Sequence, residues 1–128
     1  MIKCSGITHI TLTVADISRS RQFYSQLFEV ELGGGENYFN LNKADLSVFF
    51  TKWSKTKKGD RFDENRVGLD HVAFGVDSID ELKKAEKKLK EIKAKTVGIE
   101  TCQYTGLPYI CFRDPDNIQV EFYLNPKK

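Results

Sequence analysis

His9 and His71 are the only histidines in this chain, and they occupy the same place in two copies of one pattern. Ile7-Thr8-His9-Ile10-Thr11-Leu12-Thr13-Val14 aligns with Leu69-Asp70-His71-Val72-Ala73-Phe74-Gly75-Val76, 62 positions apart. An imidazole binds a metal through a neutral ring nitrogen. Two of them at equivalent points of a repeat suggest a duplicated unit whose histidines meet by pseudo-twofold symmetry. Side-chain parity supplies a third donor. Along a strand, alternate residues share a face. Ile10, Leu12 and Val14 form one apolar row, Val72, Phe74 and Val76 a second, and Ile118, Val120, Phe122 and Leu124 a third. His9, His71 and Glu121 all lie opposite those rows. Two imidazoles and one carboxylate form a facial triad that suits Fe(II), and also Mn, Ni or Zn, and leaves positions open for water or substrate. The bland alternative is that both histidines are ordinary hydrogen-bonded residues and Glu121 a surface carboxylate.

Other residues on these faces are candidates for accessory roles. Thr11, Tyr109 and Tyr123 are candidates to position a substrate or move a proton. Tyr109, Cys111 and Arg113 share one parity; Arg113 could pair with an anionic substrate, although a surface role suits it as well. No third histidine exists to activate Cys111 as a nucleophile. Aligning Val48-Phe49-Phe50 on Val120-Glu121-Phe122 puts Phe49 where a fourth ligand would stand. Phenylalanine cannot bind a metal, so three protein ligands are expected.

These residues need elements to hold them. The pattern predicts a first strand to Val14, then a helix to about Phe28. Ser18 or Asp16 opens that helix, as Ser78 opens the second. Ser78-Ile79-Asp80-Glu81 is a capping-box pattern. Leu82, Ala85, Leu89 and Ile92 form one helical stripe, with Glu86–Lys90 and Glu91–Lys95 as supporting pairs. Strands are predicted around Tyr38–Leu41, Leu46–Thr51, Thr96–Ile99, Tyr109–Arg113 and Ile118–Leu124. Turns are expected at 33–35, 42–45 and 114–117. Each half therefore reads strand, helix, then three strands.

The chain of 128 residues fits one domain, with module one at about 5–51, a charged connection at 52–66 and module two at about 67–125. The connection exceeds an ordinary loop, which also suits a mobile flap over a cavity. A net charge of +2 gives no electrostatic case for nucleic acid or a membrane surface as partner. Neither a spanning apolar run nor a signal-peptide pattern is visible, and Cys4, Cys102 and Cys111 form no CxxC pair; a cytoplasmic protein with reduced thiols is the expectation. The lysines of the second helix alternate with Glu81, Glu86 and Glu91, as on a solvated face. The triple glycine follows a helix and lacks the context of a phosphate loop.

Gly6 to Asp16, Arg21-Gln22-Phe23-Tyr24 with Leu27, Gly68 to Phe74, and Arg113 to Phe122 together resemble the vicinal oxygen chelate superfamily. That group holds the glyoxalases, fosfomycin-resistance proteins, extradiol dioxygenases and bleomycin-binding proteins. The resemblance implies an α+β fold of two βαβββ modules forming a cupped, incomplete barrel around one divalent metal. It puts the metal on His9, His71 and Glu121 and implies a homodimer acting on a small-molecule substrate. The implied function is a metal-dependent enzyme (lyase, transferase or dioxygenase) that chelates a small oxygenated substrate for Lewis-acid catalysis. Two alternatives stand beside it: a fosfomycin-type epoxide thiol transferase or hydrolase, and a non-catalytic binding protein. Lactoylglutathione lyases of the group commonly carry a second glutamate where Phe49 stands. Extradiol dioxygenases use an additional histidine. Fosfomycin thiol transferases keep a threonine where Thr11 stands but usually extend into a basic tail, where this chain has only Lys127 and Lys128.

Overall fold

The computed structural model describes residues 1–43 and 46–126. Part of the turn expected at 42–45 and the two terminal lysines lie outside the described residues. The chain divides into two compact units, Met1–Asp60 and Arg61–Lys128.

In the first unit, β1 (His9–Thr13), α1 (Ile17–Phe28), β2 (Tyr38–Lys43) and β3 (Leu46–Thr51) give an open three-stranded sheet in the order β1-β3-β2. Asp16, not Ser18, caps α1: its carboxylate accepts from the Arg19 amide. The carboxylate satisfies one of the amides that a helix start leaves without a partner. The helix buries Ile17, Ser20, Tyr24 and Leu27. Spacings of three, four and three place them on one stripe. Tyr24 then packs on Phe50 with ring centroids 4.5 Å apart, and Phe50 stacks on Phe39 at 4.4 Å. The expected third strand after the helix is reduced to a single bridge, Gly34 to Phe39. A side chain at Gly34 would meet the Tyr38 carbonyl oxygen at 2.3 Å, so the chain passes too closely there for any other residue.

In the second unit, β4 (Val72–Val76), α2 (Ile79–Glu91), β5 (Lys95–Thr101), β6 (Pro108–Arg113) and β7 (Gln119–Leu124) give the full βαβββ pattern, with sheet order β4-β7-β6-β5. Ser78 caps α2 by accepting from the Glu81 amide. Leu82 and Leu89 are fully buried, with Ile110, Phe112 and Val120. Each such leucine contributes ~1.5–3 kcal/mol of burial. The helix ion pairs differ from those expected. They run i to i+3, Glu81–Lys84 at 2.9 Å and Lys88–Glu91 at 3.3 Å. Glu86 turns toward the sheet instead and accepts the Ile99 amide at the β5 irregularity.

The second half of the charged connection is not a free flap. The Phe62 amide donates to the Asp116 carbonyl, Asn117 Nδ2 donates back to the Phe62 carbonyl, and Arg113 grips Glu64. The β6–β7 turn holds it from three directions. Among the described residues no helix is long and apolar enough to cross a membrane.

The ladders carry the repeat further than the sequence alone. β1 runs parallel to β3 with Ile10 opposite Val48, Thr11 opposite Phe49 and Leu12 opposite Phe50. β4 runs parallel to β7 with Val72 opposite Val120, Ala73 opposite Glu121 and Phe74 opposite Phe122. The antiparallel neighbours also match. Asn40 is opposite Phe49 as Cys111 is opposite Glu121, and Tyr38 is opposite Thr51 as Tyr109 is opposite Tyr123.

Candidate metal centre

The second unit brings two of the three expected donors together. His71 precedes β4 and Glu121 sits in β7, its neighbour in the sheet. His71 Nε2 lies 2.8 Å from Glu121 Oε2. On its other side, His71 Nδ1 lies 2.7 Å from Asp70 Oδ1. Gln119 Nε2 donates to that same Asp70 oxygen at 2.9 Å. A proton on Nδ1 bonded to Asp70 turns Nε2 toward Glu121, the arrangement that orients metal-bound histidines. Metal ligands about 2.1 Å from an ion and at right angles stand roughly 3 Å apart. The 2.8 Å separation of the pair thus fits two donors to one divalent ion.

Glu121 is buried although it belongs to the open face, because β7 is an inner strand between β4 and β6. Burial raises its carboxyl above the ordinary value; His71 pulls it back and Asp70 pushes it up. Ala73 on one side and Cys111 on the other are its cross-strand neighbours. Burial, and then Glu121, raise the Cys111 thiol, which keeps it protonated and a poor nucleophile.

His9 is held differently. It is exposed in the first unit, shares a 2.9 Å hydrogen bond with the Thr8 hydroxyl through Nδ1, and meets Phe49 edge-on at 5.8 Å. Thr11 is exposed on β1 opposite Phe49. Among the described residues, no group of three or more His, Cys, Asp or Glu that could hold a metal ion is present.

The two tyrosines stand together. Tyr109 and Tyr123 stack at 5.8 Å with an interplanar angle of 19°. The Tyr109 hydroxyl donates to Glu100 at 3.4 Å, and burial, then Glu100, raise its pKa. Tyr123 bonds the Thr105 hydroxyl, and its bond to Cys102 raises its pKa most. Both therefore keep their protons and serve as donors. Arg113, considered for an anionic ligand, is engaged. It binds Glu64 through both terminal nitrogens, at 2.9 and 2.6 Å, and donates to Gln119 and the Asn117 carbonyl.

Sequence reasoning passed over Asp70, Gln119, Cys102 and Thr105. Asp70 was readable: it takes the place of Thr8 before the second histidine. Cys102 was not. Its thiol is lowered to about 7 by Thr105, then Tyr123, then amides of the β5–β6 turn, contacts that exist only once the hairpin closes.

A family model for the glyoxalase/bleomycin resistance protein/dioxygenase superfamily matches residues 6–122. The chain is 31% identical over 98 residues to the fosfomycin resistance protein FosX of Listeria monocytogenes, covering 75% of this chain and 69% of that protein. It is 27% identical over 121 residues to the metallothiol transferase FosB of Lysinibacillus sphaericus, covering 92% and 81%. A glyoxylase/bleomycin resistance protein/dioxygenase domain from Frankia sp. has a similar structure, with a TM-score of 0.81 at 28% identity over 97% of this chain and all of that one (100%).

Proposed function

Since this chain belongs to the glyoxalase/bleomycin resistance protein/dioxygenase superfamily, we propose that it is a divalent-metal-dependent enzyme acting on a small oxygenated substrate. The observation that carries this reading is the Asp70–His71–Glu121 relay, in which a buried carboxylate and an oriented imidazole converge on one point. His71 and Glu121 would hold the ion, iron, manganese, nickel or zinc. His9 is proposed as the third ligand from its place in the repeat, supplied by the same chain or by a second copy in a homodimer. A bound ion of this kind acts as a Lewis acid toward substrate oxygens. Asp70 keeps the His71 ring in register. Glu121 supplies charge that offsets the ion. Tyr109 and Tyr123, protonated and stacked, would orient a substrate oxygen or return a proton to it by exchanging their bonds to Glu100 and Thr105 for the substrate; Thr11 is a third such group.

The test is metal content per chain of untagged protein purified without added metal, beside His71→Ala and Glu121→Ala. About one ion per chain, lost in both variants with the fold retained, supports the site. An empty protein that takes up no added metal removes the enzyme reading and leaves a metal-free binding protein. Light scattering of the purified protein tests the homodimer.

A second reading, addition of a thiol or water to an epoxide such as fosfomycin, is favoured by the resemblance to FosX and FosB. Expression in a fosfomycin-sensitive bacterium decides it, and absence of any gain in resistance counts against it.

A further inference from the structure

The open face of the second unit has a charge pattern and an aromatic surface that narrow the ligand. β6 presents Tyr109, Cys111 and Arg113 opposite Tyr123, Glu121 and Gln119 of β7. The residues between them, Ile110, Phe112, Val120 and Phe122, are buried in the apolar core, and on the open face Glu121 is buried as well. Arg113 is consumed by Glu64, Gln119 and Asn117. The other cation on this face among the described residues, Lys95, is opposite Arg113 on the edge strand β5. Four residues of strand, roughly 13 Å, separate that end from Tyr109. Near the tyrosines stand two carboxyl groups, Glu100 and Glu121, of which Glu121 is paired with His71. Glu100 holds the Tyr109 hydroxyl, and Glu121 is the nearest residue along the same face of β7. If an ion binds, Glu121 and Asp70 together offset its two charges.

The aromatic surface is the Tyr109–Tyr123 stack, half-buried and fixed at both hydroxyls by Glu100 and Thr105. Gly75 of β4 is its neighbour, opposite Tyr123, and brings no side chain of its own to that flank. The Asn125 side chain, 3.6 Å from where a Gly75 Cβ would stand, places an amide there. Ring faces attract cations and repel anions, and the Glu100 carboxylate beside Tyr109 acts in the same sense.

We propose that Tyr109 and Tyr123, edged by the Asn125 side chain beside Gly75, seat a flat ring compound that is neutral or cationic, and that this face discriminates against carboxylates and phosphonates. The proposal deepens the reading of the site above but rests on it only for where a ring substituent would point. It opposes what the fosfomycin reading requires.

The experiment uses metal-free full-length protein and four probes built on one ring: benzyl alcohol, benzamidine, benzoate and phenylphosphonate. Backbone amide spectra are followed at Gly75, Tyr109 and Tyr123. Benzamidine and benzyl alcohol are expected to shift these amides at concentrations about fivefold below those needed for the two anions. Tyr123→Leu and Tyr109→Leu, with dispersed spectra otherwise unchanged, are expected to abolish the shifts. Anions that bind these residues as well as the other probes, or no shift with any probe, would overturn the proposal. His71→Ala separates the two readings. If it binds the ring probes normally while wild-type protein holds no metal, the metal reading fails and the ring seat stands. If metal binds and no probe does, the reverse holds.

Discussion

His9 and His71 open equivalent strands, yet each meets a different set of partners. His71 is clasped by Asp70 and Glu121; at the matching points His9 meets Thr8 and Phe49. The strand registers are the same in both halves, so the difference is not one of backbone placement. It lies in which side chains stand on the open face. Leu12 answers Phe74, Val48 answers Val120, and Phe50 answers Phe122; the packed face stays apolar throughout. Close packing restrains such positions. On the open face Phe49 replaces a glutamate, Thr51 a tyrosine and Asn40 a cysteine. A duplicated framework has kept its interior and loaded its charged chemistry onto one copy.

Exchanging the residues that differ most tests this asymmetry most severely. Glu121→Phe gives the second unit the partner that His9 has. It is expected to lose metal affinity by more than about a hundredfold, since both the anionic ligand and the charge that offsets the ion are removed. Phe49→Glu makes the converse change. On the proposal that His9 is the third ligand, it should keep the ion and tighten it by roughly tenfold, the scale on which carboxylate partners act on metal-binding histidines. Competition with a coloured chelator measures both. Unchanged affinity in Glu121→Phe would break the comparison outright.

The residues preceding each histidine give a smaller contrast. Asp70→Asn leaves the His71 ring without its anionic partner, and about 10- to 100-fold weaker metal binding is expected. Thr8→Val removes only a hydroxyl partner from an exposed ring, and less than about fivefold is expected. Metal uptake should also strengthen with pH in wild-type protein, because a proton competes with the ion for histidine and carboxylate donors. Calorimetry in buffers of different ionisation enthalpy counts that proton. Equal losses in the two variants would make the carboxylate-for-hydroxyl difference irrelevant.

The repeat explains how much was legible. Strand parity and the offset between histidines found β1, β4 and β7, and aligning Phe49 with Glu121 anticipated the ladder register. These are local patterns with a period of two. The local pattern leaves the first helix cap between Ser18 and Asp16, although Asp16 stands at the repeat position of Ser78. The third strand of the first half failed for a different reason: Gly33-Gly34-Gly35 has no side chains with which to alternate. The bond of Glu64 to Arg113 joins residues 49 positions apart, and no local pattern reports such a distance. The same holds for Cys102 with Tyr123.

The two thiols of the second unit sharpen the contrast between its open turn and its sheet interior. Cys102, lowered to about 7 by Thr105 and Tyr123, is about half thiolate at neutral pH, whereas burial and Glu121 hold Cys111 protonated. Alkylation by iodoacetamide at pH 7 is expected to be about tenfold faster at Cys102, with its lower intrinsic nucleophilicity already allowed for. Tyr123→Phe removes one hydrogen bond to the thiolate and should move the inflection of the Cys102 rate upward in pH. Mass-resolved labelling distinguishes the sites. Equal rates would mean that the Cys102–Thr105–Tyr123 cluster does not act on the thiol.

The smallest effect expected concerns the connection itself. Residues 52–60 are held by turns at Trp53–Thr56 and Lys57–Asp60, while the following residues are bound to the β6–β7 turn through Phe62 and Glu64. The Arg113 hydrogen bond pulls the Glu64 carboxyl down to about 2. A lowered folded value means that the pair's contribution is fully present above the ordinary carboxylate pKa and is lost as pH falls toward about 2. Glu64→Gln should therefore reduce the hydrogen-exchange protection of the Phe62 amide at pH 6, by roughly two- to fivefold for a partly exposed pair. Wild type and variant should converge as acid protonates Glu64. The amides of Thr56 and Asp60, in turns of the first unit, should not change in either condition. A variant that loosened both stretches equally would show that the connection moves as one piece, and that its second half is not held by the β6–β7 turn.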